Sequence, residues 1–163
     1  MYKLCQTGAI RLSDGANIPE DSGNRDWQEC QQWLAEGNTP DPAESHAEIT
    51  ARMWDAIKAE RDRRKAGGVK VGAKWFHSDD GSRIQQMGLV MMGAGIPANL
   101  QWKTMDGSFI TMTQTLASQV FQAVAASDQA IFTAAETHRV AMEASADPAS
   151  YDYSGGWPKI YGE

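Results

Sequence analysis

The chain has 163 residues, enough to fill one ordinary domain, or one domain with a small appended module, and to bury a working core. Charged residues make up 22% and apolar residues 42%, close to the globular average, which sets aside disordered, fibrous and membrane-embedded classes. The net charge of -6 is uneven: Asp14 to Glu48 holds nine acids and one base, Arg52 to Lys74 eight bases and three acids, a polarity that can orient protein partners.

No stretch approaches the roughly 18 to 20 apolar residues of a membrane helix, and Met1-Tyr2-Lys3-Leu4 lacks the apolar core of a signal peptide, so no membrane partner is expected. Cys5 and Cys30 are too few for a disulfide framework, and neither has a CxxC or His-pair neighbour, so both are expected as reduced thiols. The basic segment reads as a solvated helix face. It is short, lacks interleaved aromatics and sits in a chain of pI about 5.0, so no nucleic-acid partner is expected.

In chain order, residues 1 to 18 alternate weakly around Gln6-Thr7-Gly8 and Ser13-Asp14-Gly15, the pattern of short strands with tight turns. Asn24 can cap a helix whose apolar positions are Trp27, Cys30, Gln31 and Leu34, flanked by Trp33 and stopped by Gly37-Asn38. Residues 39–44, with Thr39-Pro40-Asp41-Pro42-Ala43, read as a stiff linker between a module at 1–38 and a main domain at 45–148. Ser45-His46-Ala47-Glu48 has the capping-box pattern, opening a helix that runs to Ala66 with Ile49, Met53 and Ile57 on its inner stripe.

Val69 to Val71 and Lys74 to Phe76 then flank Gly72-Ala73 as a hairpin. Ser78 or Asp80 can cap a third helix with Ile84, Met87 and Met91 on its apolar face, before Gly93, Gly95 and Pro97 break it. Leu100, Trp102 and Phe109, Thr111 predict a second hairpin around Met105-Asp106-Gly107. Thr113 opens the longest helix, whose stripe of Leu116, Val120, Val124, Ser127, Ile131, Ala135, His138 and Met142 has an eleven-residue period suited to straight packing inside a domain. Asp147-Pro148 ends it. The fold class is therefore α+β: a strand-and-helix module, then a helix-hairpin-helix-hairpin-helix domain with an extended C-terminal arm at 149–163.

Catalytic patterns are absent from the spacing. His46, His77 and His138 belong to no metal motif, and no cofactor is expected. His77-Ser78-Asp79 holds triad residue types, but adjacent residues cannot converge as that chemistry requires, so it reads as a hairpin end and helix cap. Gly93-Ala94-Gly95-Ile96-Pro97-Ala98 fits a dinucleotide fingerprint formally, yet follows a helix rather than a strand. Met87, Met91 and Met92 read as core filler.

Aromatics supply the candidate contact residues. Trp75 and Trp102 are expected on sheet faces. Trp27 and Trp33 lie in a module too small to bury both, which points at least one of them to a partner. Tyr151, Tyr153, Trp157 and Tyr161, with the apolar Ile160, make the C-terminal arm dense in aromatic and apolar residues; Gly155-Gly156 gives a bend and Pro158 discourages helix. This favours an arm docked on a partner, the alternative being an arm folded back over its own domain.

Two stretches resemble known families. Ile10 to Pro19, with Asn24 to Glu29 and Trp33 to Pro40, resembles a short N-terminal module of phage tail-fibre and tail-accessory proteins, with Trp27 and Cys30 where that family would carry tyrosines. From about Ile49 to Pro148 the chain is similar to a phage domain family of unknown function, through Arg61-Asp62-Arg63-Arg64, Lys74-Trp75-Phe76, Leu100 to Thr113 and the final helix. The resemblance implies a virion tail protein assembled in the host cytoplasm, with no catalytic residues. Other tail or tail-fibre proteins are its implied partners, and a homo-oligomer is compatible with it. An assembly chaperone and a small glycan or cell-wall hydrolase are the alternatives.

Overall fold

In the computed structural model, which describes residues 1–163, four helices and seven short strands in small antiparallel sheets make a mixed α+β chain. It divides into two compact units, Met1–Ala51 and Arg52–Glu163.

In the first unit β1 (Tyr2–Cys5), β2 (Gly8–Arg11) and β3 (Ala16–Pro19) form a meander. Strand alternation and the pairing register put Tyr2, Ala9 and Ile18 on one face, where α1 (Arg25–Ala35) adds Cys30; all four are buried. Asn24 caps α1 by accepting the Trp27 N–H at 3.2 Å. Arg11, on the same sheet face, ties the sheet to α1 through Asp26 at 3.1 Å. Gln31, which the helical spacing places on the apolar stripe, is exposed, because a sheet this narrow covers one line of helix residues.

Residues 39–44 are not free of the module. Asp41 donates its N–H to the Tyr2 carbonyl at 2.9 Å and accepts from Leu4 N–H at 2.8 Å, a parallel bridge on the outer edge of β1. That edge otherwise offers unpaired backbone groups, and Asp41 satisfies two of them. Ser45 and Glu48 then close a reciprocal capping box, at 2.7 and 3.2 Å, that starts α2 (His46–Lys65).

The second unit is organised by α4 (Gln114–Glu143), whose 30 residues span about 45 Å. Its buried line, Ala117, Val120, Val124, Ile131, Ala135 and Met142, follows the eleven-residue period of the sequence. The hairpin β4 (Val69–Val71) and β5 (Lys74–Phe76), α3 (Asp80–Met92) and the N-terminal half of α4 share one core of Val69, Phe76, Leu89, Met112, Ala117, Val120 and Val124. The second hairpin, β6 (Gln101–Lys103) and β7 (Phe109–Thr111), adds Trp102 and Ile110 at its margin.

Arg61 and Lys65 of α2 lie over the Phe132 ring and Arg139 over Trp54, so α2 runs antiparallel to the C-terminal half of α4. α3 is likewise antiparallel to the N-terminal half: Arg83 pairs with Asp128, while Gly93 lies beside Gln114.

The rotation of α3 corrects the sequence expectation. Ile84, Met87 and Met91 face solvent, and the buried residues are Gln86 and Leu89. Polar anchors fix this rotation. Arg83 reaches Asp128 and the Lys65 carbonyl, and Gln86 donates to the His77 carbonyl at 2.7 Å. With those two side chains turned inward, Ile84 and Met91 lie roughly 130° away around a helix of 3.6 residues per turn. Gly93–Gly95 forms a single 3-10 turn that closes α3, as a helix stop requires.

Gly67 and Gly68 follow α2 where neighbouring side chains close tightly on the backbone. A Cβ on Gly67 would lie 2.6 Å from Ile160, and one on Gly68, whose φ is +93°, would lie 2.2 Å from the Met105 sulfur. We therefore expect Gly67→Ala and Gly68→Ala each to destabilise by about 1–3 kcal/mol through overpacking, with about 1 kcal/mol more at Gly68 for its left-handed backbone. Gly72→Ala, at φ +60° with open space around it, should cost about 1 kcal/mol. Urea denaturation of the three variants checks the order; equal losses at Gly68 and Gly72 would contradict the crowding.

Candidate interaction surfaces

The seven aromatic and apolar residues picked out by the sequence fall in two places, Trp27 and Trp33 in the first unit and the other five in the second. Both tryptophans are half-buried against their own module's core, and Trp33 meets Tyr2 edge-on at 5.3 Å. The module thus accommodates both rings, each keeping an exposed margin.

The C-terminal segment does not extend away from the molecule; it folds back on its own unit. His138 of α4 holds it from one side, with Nδ1 2.9 Å from the Tyr151 hydroxyl and Nε2 2.8 Å from the Gly155 carbonyl. A carbonyl only accepts, so Nε2 carries the proton, and in the neutral ring Nδ1 accepts from Tyr151. Trp157 packs over the His138 ring at 5.0 Å and donates its indole N–H to the Tyr153 carbonyl at 2.7 Å. Ile160 is buried against Gly67, while Tyr161 donates its N–H to the Gly67 carbonyl and meets Trp75 edge-on. Burying Ile160 alone stabilises by about 2 kcal/mol.

Arg64 closes the arrangement. Its side chain is only 8% exposed, and it binds Glu60 at 2.5 Å, the Pro158 carbonyl at 2.9 Å and Glu163 at 3.1 Å. Hydrogen bonds from Arg63, against a burial penalty, and from Arg64 hold the Glu60 carboxyl below its ordinary pKa. At Glu163 burial opposes ionisation, but the hydrogen bond and charge of Arg64 outweigh it, and the pKa is again lowered. Both carboxylates therefore favour the folded chain above the ordinary carboxylate range, and they lose that contribution as pH falls through their lowered values. The basic run Arg61-Asp62-Arg63-Arg64 is thus partly an internal clasp, which its charge pattern alone did not reveal.

Several clefts lie on the second unit. One of about 640 Å³ runs between the Ala126–His138 face of α4 and Gly156-Trp157-Pro158. Another, of about 400 Å³, places Glu60 and Asp152 on one wall system with Arg63, Arg64 and Tyr151. These two carboxyls do not divide into acid and base. Glu60 is kept ionised by its arginines, and Asp152 is lowered by the Ser154 backbone N–H, so neither retains a proton near neutral pH. Ser78 donates to the Lys65 carbonyl and accepts from Gly68 N–H, and Asp79 caps α3, so His77-Ser78-Asp79 serves as a turn and cap. No three His, Cys, Asp or Glu side chains converge in a way that could hold a metal ion. No helix is long and apolar enough to cross a membrane. The surface feature that spacing misassigned is the apolar face of α3, exposed at Ile84, Met87 and Met91.

Removing residues 150–163 should lower the stability of the chain by about 3 kcal/mol or more, since it uncovers Gly67, His138 and the charge of Arg64 at once. Thermal denaturation of the truncated chain checks this. An unchanged melting temperature would mean that the segment contributes no packing and is free to dock elsewhere.

No curated protein and no solved structure matches the chain. A domain of unknown function, DUF4376, matches residues 48–155, which take in most of α2, both hairpins, α3, α4 and the first turn of the folded-back segment. With roughly two thirds of its length inside that match, the chain belongs to the DUF4376 family.

Proposed function

We propose that the chain is a structural component of a bacteriophage tail that joins or decorates tail or tail-fibre proteins through protein–protein contacts. The observation that carries this reading is the sequence resemblance of Ile10 to Pro40 to a tail-fibre module, joined in one chain to a stretch similar to a phage domain. Two structural features support it. The resembling N-terminal stretch has its own small core, as an attachment module needs, and α3 of the second unit carries an exposed apolar face. Assembly in the host cytoplasm and residence in the virion tail are part of the same proposal, with the exposed margins of Trp27 and Trp33 as contact points.

The methionines on α3 favour a second reading, an assembly chaperone for a tail fibre that is absent from the mature virion, because exposed methionines adapt to changing partners. A glycan hydrolase is disfavoured by the carboxyl pair Glu60 and Asp152, which lacks the raised-pKa acid that glycosidic bond cleavage requires. Quantitative mass spectrometry of purified particles separates the two leading readings. The structural reading expects the chain in fixed stoichiometry with a tail protein, whereas presence in the lysate and absence from particles would replace it with the chaperone.

A further inference from the structure

The β6–β7 hairpin leaves one edge of β6 open inside a cleft. Bonds from Met112 N–H to the Leu100 carbonyl and from Thr104 N–H to the Ser108 carbonyl, each 2.8 Å, put the even-numbered residues of this strand in bonded register with β7. In an antiparallel pair the intervening residues turn their backbone groups the other way, so Gln101 and Lys103 each present an N–H and a C=O on the outer edge. No strand pairs with that edge. It forms one wall of a cleft of about 460 Å³, with His77, Ser82 and Gln85 on the other.

The cleft exists because a ladder stops after one rung. Met105 N–H donates to the Trp75 carbonyl at 2.9 Å, which brings β6 against β5. The next rung of an antiparallel ladder would join Lys103 to His77. It is not made, because the His77 carbonyl accepts instead from the Gln86 side chain at 2.7 Å. The chain after β5 is thereby drawn toward α3, and β6 is left with two donors and two acceptors facing a gap.

We propose that this cleft is a strand-addition site, in which an extended segment of a partner protein pairs with β6 at Gln101 and Lys103 and sets an acidic side chain beside Lys103. The open backbone groups specify the occupant, because an extended peptide repeats its own donors and acceptors at the same two-residue spacing. Charge specifies the side chain. Lys103 is the one lysine, arginine or carboxylate on the cleft, and its ammonium makes no ion pair or hydrogen bond. A residue opposite Lys103 stands on the same face of the sheet, so an acid there meets the ammonium directly. The β6 edge of a second copy does not fit, since it is recessed in an identical cleft and two recessed edges do not meet. The occupant is therefore a free arm or loop. The inference rests on the second unit alone and stands apart from the tail reading.

Backbone-amide NMR of the full chain tests it with a synthetic probe, a capped heptapeptide of alternating threonine and valine with one central glutamate. Titration to millimolar peptide should shift the amides of Gln101 and Lys103 and slow their hydrogen exchange. A lysine in place of the peptide's glutamate should weaken binding by ~10-fold, Lys103→Glu should do the same, and the lysine peptide should regain affinity for the Lys103→Glu chain. Lys103 is exposed and unbonded, so this variant keeps the fold, which near-UV circular dichroism verifies. Two N-methylated peptides separate strand pairing from a side-chain contact. Methylation at the glutamate and at the residues two positions either side should abolish binding, whereas methylation at the intervening residues should leave it. Unmoved Gln101 and Lys103 amides, equal binding of the two methylated peptides, or no recovery in the charge exchange would each overturn the proposal. So would self-association of the chain through the same amides without peptide, which would make a second copy the occupant.

Discussion

One guanidinium, that of Arg83, joins three segments of the second unit that are far apart in sequence. It donates to the Lys65 carbonyl at the end of α2, to the Ser78 carbonyl in the turn before α3, and through a paired contact of 2.5 and 2.9 Å to Asp128 of α4. Such a planar, bidentate pair is more directional than a lysine contact, and here it is about three-quarters withdrawn from water. It sets the level at which α3 crosses α4, and with Gln86 it sets the rotation of α3. The end of α2 is held at the same point, because Ser78 bridges the Lys65 carbonyl and the Gly68 N–H. Gly67 and Gly68 can then turn sharply enough for Met105 and Ile160 to close over them. The two hairpins meet there as well: Met105 N–H donates to the Trp75 carbonyl, and Lys74 bonds Asp106 at 2.8 Å. That bond, with those from Thr104 and Ser108, holds the Asp106 carboxyl far below its ordinary pKa.

The same junction decides which apolar side chains of α3 remain exposed. The rings of the C-terminal segment are used inside the unit, with Trp157 and Tyr151 against His138 and Ile160 against Gly67. Inward-turned Arg83 and Gln86 leave Ile84, Met87 and Met91 outside. Part of the apolar surface exposed on the second unit thus lies on a helix face that the spacing assigns to the core, while the aromatic tail helps to close the fold.

Local rules were legible in the sequence. The Ser45–Glu48 capping box, the Asn24 cap, the hairpin turn at Gly72 and the inner line of α4 all depend on residues within a few positions of one another, and the structure contains each of them. What escaped depends on distant pairs. The rotation of α3 is set by Asp128, 45 positions from Arg83, and the burial of Arg64 by Glu163, 99 positions away. A helical stripe of Ile84, Met87 and Met91 is as regular as the stripe of α4, so periodicity cannot tell which face a long-range arginine will turn inward. Among the candidate contact residues, aromatic density marked the C-terminal segment as ordered against something, but composition does not say whether that surface belongs to the same chain. The edge pairing of Asp41 with β1 was hidden by its Pro-rich surroundings.

The junction of Lys65, Gly68, Ser78 and Arg83 ties α2, the turn before α3 and α4 together, so the second unit should open as one. Residue-resolved hydrogen exchange measures this directly through the amides of Gly68, Met105 and Tyr161, which bond to Ser78, Trp75 and Gly67 respectively. These three amides should exchange through the same slow opening as those of Val120 and Val124 in the core of α4. Fast and independent exchange at those three positions, with α4 still protected, would contradict it.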